Sequence, residues 1–293
     1  MNALVLDLDG SATGLDCEQV LDLRKHEQAL RFACSMRRLE DFARELEAEL
    51  PPTYGTVLTG SGDFHHLSLP LIRAVAARRG PLEVVVLDNH PDNMRYPFGV
   101  HCGSWVRRVT ELAGVRHVHV AGITSGDISL AHAWENQWRP LRTGRLTYWS
   151  TGVHTSWARR VGLGQAFRAF ADMPALVQAL GTHLAGSGLP VYLSIDKDVL
   201  SARDAHTNWD QGVMCTSQML ALIQAMHGRI VGSDITGDVS QVDYQQGWKR
   251  FLSALDRQPR IPEVELLRWQ DEHRLLNQRL IHAIAEAMAP DAS

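Results

Sequence analysis

At 293 residues, with 45 % hydrophobic and 21 % charged side chains, the chain has enough apolar material for one large buried core. Its formal charge is −4, and its arginine pairs (Arg78-Arg79, Arg107-Arg108, Arg159-Arg160) are scattered, which argues against a nucleic-acid partner. No apolar run approaches the ~18 residues of a membrane span. Met1–Gly10 lacks a basic signal-peptide head, and Cys17, Cys34, Cys102 and Cys215 form no C-x-x-C pair, so a cytoplasmic protein with reduced thiols is expected.

In chain order, short apolar runs alternate with amphipathic stretches. A strand is predicted over Ala3–Leu8, a helix over Glu27–Leu50, a strand over Thr56–Gly60 and a helix over Leu67–Arg79. Next come a strand over Leu82–Asp88, a helix over Ser104–Ala113 and a strand over His117–Gly122. Residues Thr124–Arg168 hold Trp134, Trp138, Trp149 and Trp157 with little periodicity, and read as loops around one strand, Leu146–Ser150. The remainder reads as helix Met173–Ala185, strand Val191–Asp196, helix Ser217–Met226, strand Arg229–Asp234 and helix Pro262–Met288. Continuous apolar runs of this length suit strands buried on both faces. The pattern therefore predicts an α/β fold, a three-layer α/β/α arrangement around a mostly parallel sheet of about eight strands, as one domain over residues 1–293.

In open α/β sheets, ligands bind beyond the carboxyl ends of the strands. Three predicted strands end in polar motifs there: Gly60-Ser61-Gly62-Asp63-Phe64-His65-His66, Asp88-Asn89-His90-Pro91-Asp92 and Asp196-Lys197-Asp198. Alternate residues of an extended chain share a side, so Asp88, His90 and Asp92 can converge, as can Asp196 and Asp198. A lone D-x-D is commonly a cap or a turn, but three such motifs at strand ends are hard to assign to chance. That many carboxylates packed together require cations. Oxygen and imidazole donors without thiolate suit Mn²⁺ or a related first-row ion. Two ions roughly 3.5–4 Å apart could share a carboxylate and activate a water. The histidine of the first motif is open between His65 and His66.

These residues resemble the ureohydrolase superfamily of arginase, agmatinase and formimidoylglutamase. That family carries a glycine-rich motif with a histidine, a D-A-H-x-D motif and an S-x-D-x-D motif, and this chain has Gly60–His65, Asp88–Asp92 and Ser194–Asp198 in the same order. The resemblance implies two Mn²⁺ per chain, with Asp88 and Asp196 bridging them. His65 and Asp92 would complete one shell, and His90 and Asp198 the other. It further implies hydrolysis of a non-peptide C–N bond in a linear guanidine or amidine, a small-molecule substrate, by a metal-bridging hydroxide, in a homo-oligomer. His101, followed by Cys102-Gly103, matches a family histidine that could protonate the leaving amine. Guanidine hydrolases show a glutamate after a late strand; here Gly237 stands near that position, and Asp238 is the candidate replacement. Lys197 and Asn89 are unusual fillers whose side chains are expected to face away from the metals.

Two alternatives compete. Leu4–Ser11 resembles the nucleophile motif of haloacid-dehalogenase-like phosphatases, with Asp7 and Asp9 as its aspartates and Asp243 in a later motif. A catalytically inactive arginase-like protein is the other.

Overall fold

A computed structural model describes residues 3–12, 14–15, 18–242, 244–245, 247, 249 and 261–288 of the chain. The strands are β1 (Ala3–Asp7), β2 (Glu18–Asp22), β3 (Ala33–Cys34), β4 (Val57–Leu58), β5 (Leu82–Leu87), β6 (Val100–His101), β7 (Val115–Ile123), β8 (Leu146–Thr151), β9 (Phe167–Phe170), β10 (Val191–Asp196) and β11 (Ile230–Thr236). Nine of them form one sheet in the order β2-β1-β4-β11-β10-β5-β7-β8-β9, with every neighbouring pair parallel. β3 and β6 make a separate antiparallel pair.

Alternation along the strands divides the apolar residues between two cores. Leu4, Leu6, Val84, Val86, Val118 and Val120 pack against Leu39 and Phe42 of helix Met36–Glu49 and Ile72 of helix Ser68–Arg79. Val5, Val85, Leu87, Leu193 and Ile195 pack under helices Met173–Gly186, Thr216–Ala225 and Glu263–Ala287. Both faces of the sheet are thus covered, and each fully buried Val or Leu contributes about 1.5–3 kcal/mol. Among the described residues, no helix is long and apolar enough to cross a membrane.

The sheet has nine strands rather than about eight. β2 and β9 are its two edges, and their sequences EQVLD and FRAF carry no apolar run because an edge strand is only partly covered. The single helix expected over Glu27–Leu50 is interrupted. Leu30 closes a short helix, Phe32 takes a left-handed φ of 69°, β3 follows, and Ser35 caps a new helix by accepting the Arg38 N–H. The helix expected over Ser104–Ala113 contracts to Val106–Thr110. Asp243 and Cys17 lie outside the described residues.

The sheet order creates a switch point. From β5 the chain runs outward through β7, β8 and β9; from β10 it returns the other way to β11. β5 and β10 are adjacent, so their carboxyl ends flank the crevice where an open α/β sheet binds ligands. Asp88 follows β5, and Asp196 is the last residue of β10.

Candidate metal centre

Six carboxylates or imidazoles meet in this crevice with little water access. His65, Asp88, Asp92, Asp196 and Asp198 are all buried, and His90 is partly so. The strand-to-turn connection after β4 positions the first histidine. Gly60 has a φ of +82° that favours glycine, and Ser61 accepts the Asp63 N–H to start a tight 3₁₀ turn over Gly62–Leu67. This turn sends two consecutive histidines in different directions. His65 Nδ1 lies 3.2 Å from Asp88 Oδ2, 3.0 Å from Asp92 Oδ2 and 3.4 Å from Asp196 Oδ2. His66 Nε2 instead lies 3.9 Å from Cys34 Sγ, and burial holds its pKa down to about 3.

Asp88 connects two clusters. Its Oδ2 faces His65, while its Oδ1 lies 3.6 Å from His90 Nδ1. His90 Nδ1 is also 2.9 Å from Asp198 Oδ2. The result is two compact groups able to hold a cation, His65–Asp88–Asp196 and Asp88–His90–Asp198, with Asp88 in both. Backbone amides fix the oxygens that face elsewhere: Asp196 Oδ1 accepts from the Asp198 N–H at 3.1 Å, and Asp198 Oδ1 from the Asn89 N–H at 3.1 Å. Asp92 has a φ of 44°, uncommon for a residue with a side chain, and its Oδ2 accepts from Trp105 Nε1 at 2.6 Å.

The electrostatics are those of an over-anionic pocket. Burial, and then the charge of Asp88, push Asp92 and Asp198 up to about 7. Burial and then Asp198 drive Asp196 well above the usual carboxylate range. Asp88 goes the other way: burial opposes its charge, but the His65 and His90 imidazoles beside it prevail and hold it below that range. His65 Nδ1 and Asp88 Oδ2 are buried with no hydrogen-bond partner. Buried polar atoms without partners are costly, and divalent cations would satisfy these donors and offset the carboxylate repulsion. An oxygen-and-imidazole donor set fits Mn²⁺ or a similar ion.

A cavity of about 500 Å³ opens above the cluster and is lined by Phe32, Tyr96, His101, Trp209, Asp127 and Glu135 beside the candidate ligands. The Phe32 ring lies between His101 and Trp209, with centroids 6.1 Å from each and interplanar angles of 12° and 15°. His101 Nδ1 accepts the Gly103 N–H at 3.0 Å, which leaves Nε2 to carry the ring proton. Burial lowers the His101 pKa to about 4, so the ring is neutral near pH 7.

Asp238 does not line this cavity. It is buried, and its Oδ1 pairs with Lys197 Nζ at 2.7 Å and Asn277 Nδ2 at 2.9 Å. The expectation that it holds a substrate guanidinium is not met by this geometry, because the carboxyl is fully buried outside the cavity, with Oδ1 on an internal cation. Gly237 cannot be replaced by a glutamate without displacement: a Cβ there would stand 2.4 Å from Asp196 Oδ1, and φ is +87°. Lys197 turns to the buried Asp238 and Asn277, and Asn89 to Thr124 and Asp210, so neither side chain faces the candidate ligand cluster. Asn89 binds a residue that sequence reasoning missed, Asp210, whose Oδ1 lies 2.8 Å from His90 Nε2. Asp210 sits in a loop without a readable motif, so no sequence signal marked it. Asp7 is paired with Arg24, and Asp9 with the buried Arg31, both away from the cavity.

A model of the arginase family matches residues 8–246. An uncharacterized protein of Thermotoga maritima is 28 % identical over 215 residues, covering 72 % of this chain and 70 % of its own. Among solved structures, proclavaminate amidino hydrolase from Streptomyces clavuligerus has a TM-score of 0.53 at 20 % identity, over 96 % of this chain and 92 % of that one. Agmatine ureohydrolase of Thermoplasma volcanium gives 0.55 at 13 %, over 97 % and 89 %. Formimidoylglutamase from Bacillus subtilis gives 0.51 at 16 %, over 97 % and 87 %. At these identities the structural likeness establishes a shared fold.

Proposed function

The chain belongs to the arginase family, and from that premise we propose that it is a binuclear manganese-dependent hydrolase of a non-peptide C–N bond in a linear guanidine or amidine. The observation that carries this reading is the Asp88 carboxylate, which offers one oxygen to the His65 group and the other to the His90 group. Asp88 and Asp196 would be shared by the cations, with His65 and Asp92 on one and His90 and Asp198 on the other. Such a pair supplies a water acidified enough to provide hydroxide near neutral pH.

The remaining roles fall to the cavity walls. Trp209, braced by Phe32, offers an apolar ring at the cavity against which a planar amidine or its carbon chain can pack. Asp127 and Glu135 are carboxylates at the cavity that could attract a cationic substrate, a job that Asp238 and Gly237 leave unfilled. His101, neutral and protonated at Nε2, is suited to donate a hydrogen bond to the departing nitrogen. The phosphatase alternative has no support left: the arginase match covers most of the chain, and both Asp7 and Asp9 are held by arginines.

The test is a screen of manganese-loaded protein for urea, ammonia or formamide release from arginine, agmatine, guanidinobutyrate and formiminoglutamate. Release from one of these, lost together with both ions in Asp88→Asn, supports the proposal. Two bound ions without turnover on any C–N substrate would favour an inactive member.

A further inference from the structure

The two ligand histidines are supported in different ways. His65 Nε2 meets Ser194 Oγ at 3.1 Å, and Ser194 Oγ donates onward to Asp234 Oδ1 at 2.8 Å, all inside the core. His90 Nε2 lies 2.8 Å from Asp210 Oδ1, a carboxylate whose side chain is 71 % exposed. Asp210 is anchored in turn. Asn89 Nδ2 donates to its backbone carbonyl at 3.0 Å and its Oδ2 at 3.2 Å. Asn89 Oδ1 accepts from the Thr124 N–H at 3.1 Å and the Thr124 hydroxyl at 2.6 Å. This network explains the asparagine between Asp88 and His90: its amide ties the loop that carries Asp210 to the turn that carries the candidate ligands.

An imidazole that coordinates through one nitrogen is oriented by what its other N–H meets, and a carboxylate there also raises its basicity. With Nδ1 facing Asp88 and Asp198, His90 presents Nε2 to Asp210. We propose that Asp210, anchored by Asn89, is the positioning residue of the Asp88–His90–Asp198 cation site. This inference rests on the metal reading above. The two ions are then held unequally, one by an interior hydroxyl–carboxylate relay and one by a loop residue. Trp209, the neighbour of Asp210, lines the cavity, so a displacement of this loop loosens one ion and leaves the other.

The test measures metal rather than turnover. Mn²⁺ stoichiometry is read by equilibrium dialysis over graded free Mn²⁺, with the electron paramagnetic resonance signal of a spin-coupled pair as a second readout. Unaltered protein should hold two ions. Asp210→Ala should keep one at its original affinity and weaken the other about 10- to 100-fold, with loss of the coupled signal at intermediate Mn²⁺. Asp210→Asn keeps an oxygen able to accept from Nε2 and should recover part of the loss. Asn89→Ala should weaken the same single ion. Unchanged affinity for both ions in Asp210→Ala, or equal weakening of both, overturns the inference alone. Failure of the unaltered protein to bind any ion overturns the metal reading itself, and this inference with it.

Discussion

Removing the Asp238 carboxyl should destabilise the whole chain rather than alter substrate binding. Asp238 Oδ1 and Lys197 Nζ are 2.7 Å apart, and both side chains have 0 % exposure. Asn277 completes the arrangement, accepting from Lys197 Nζ through Oδ1 at 2.8 Å and donating to Asp238 through Nδ2 at 2.9 Å. In Asp238→Ala the Lys197 ammonium loses the one charged partner it directly contacts among the described residues and stays buried, a change that costs about 3–5 kcal/mol. At ~2 °C per kcal/mol for a chain of this size, Tm should fall by about 6–10 °C. Asp238→Asn retains an acceptor and should lose less. The double variant Lys197→Met with Asp238→Leu removes both charges and should recover much of the loss, leaving Asn277 to forfeit partners at about 1–3 kcal/mol. The assay is thermal denaturation followed by circular dichroism in excess chelator, which separates folding from metal binding. An unchanged Tm in Asp238→Ala would refute the reasoning. A normal Tm with a raised KM would return Asp238 to the substrate.

His65→Ala should lose at least one ion per chain by elemental analysis, whereas His66→Ala, which faces Cys34, should keep both; the reverse would exchange their assignments. His101→Ala should lower kcat by on the order of 10²-fold with metal content intact; an unchanged rate would remove it from the chemistry. The pH dependence has a defined sign. Asp92 and Asp198 are raised to about 7 in the folded chain without cations. That contribution to stability is therefore full in acid, below the ordinary carboxylate pKa, and lost as pH climbs through about 7. Cations need both groups deprotonated, so the rise in Tm on adding Mn²⁺ should grow between about pH 5 and about pH 8. A rise that is independent of pH over that window would contradict the carboxylate assignment.

How much of this was legible depends on the range of the interaction involved. The interior strands β1, β5, β7, β8, β10 and β11 are apolar because the sheet buries them on both faces, so their runs stand out in the sequence. Strand ends bring Asp88 and Asp196 to one edge without any knowledge of packing, whereas the extended-chain alternation expected beyond them is replaced by turns: Asp198 lies in a 3₁₀ turn over Lys197–Val199 and Asp92 takes a left-handed φ. The edge strands β2 and β9 lack that signal because one side of each is unpaired. The break at Phe32 was hidden by apolar residues that also fit a helix.

The amino-acid sequence by itself determined the α/β class, the order of the motifs and their place at strand ends. Each of these follows from local periodicity and residue chemistry. Only the tertiary structure shows that a single 3₁₀ turn sends His65 towards Asp88, Asp92 and Asp196 and His66 towards Cys34. It alone committed Asp238 to Lys197 and Asn277, and brought Asp210 to His90 across 120 residues of chain. Periodicity reports whether a side chain is buried, but not which distant side chain it meets. That partner is set by how the loops beyond β5, β10 and β11 pack on one another.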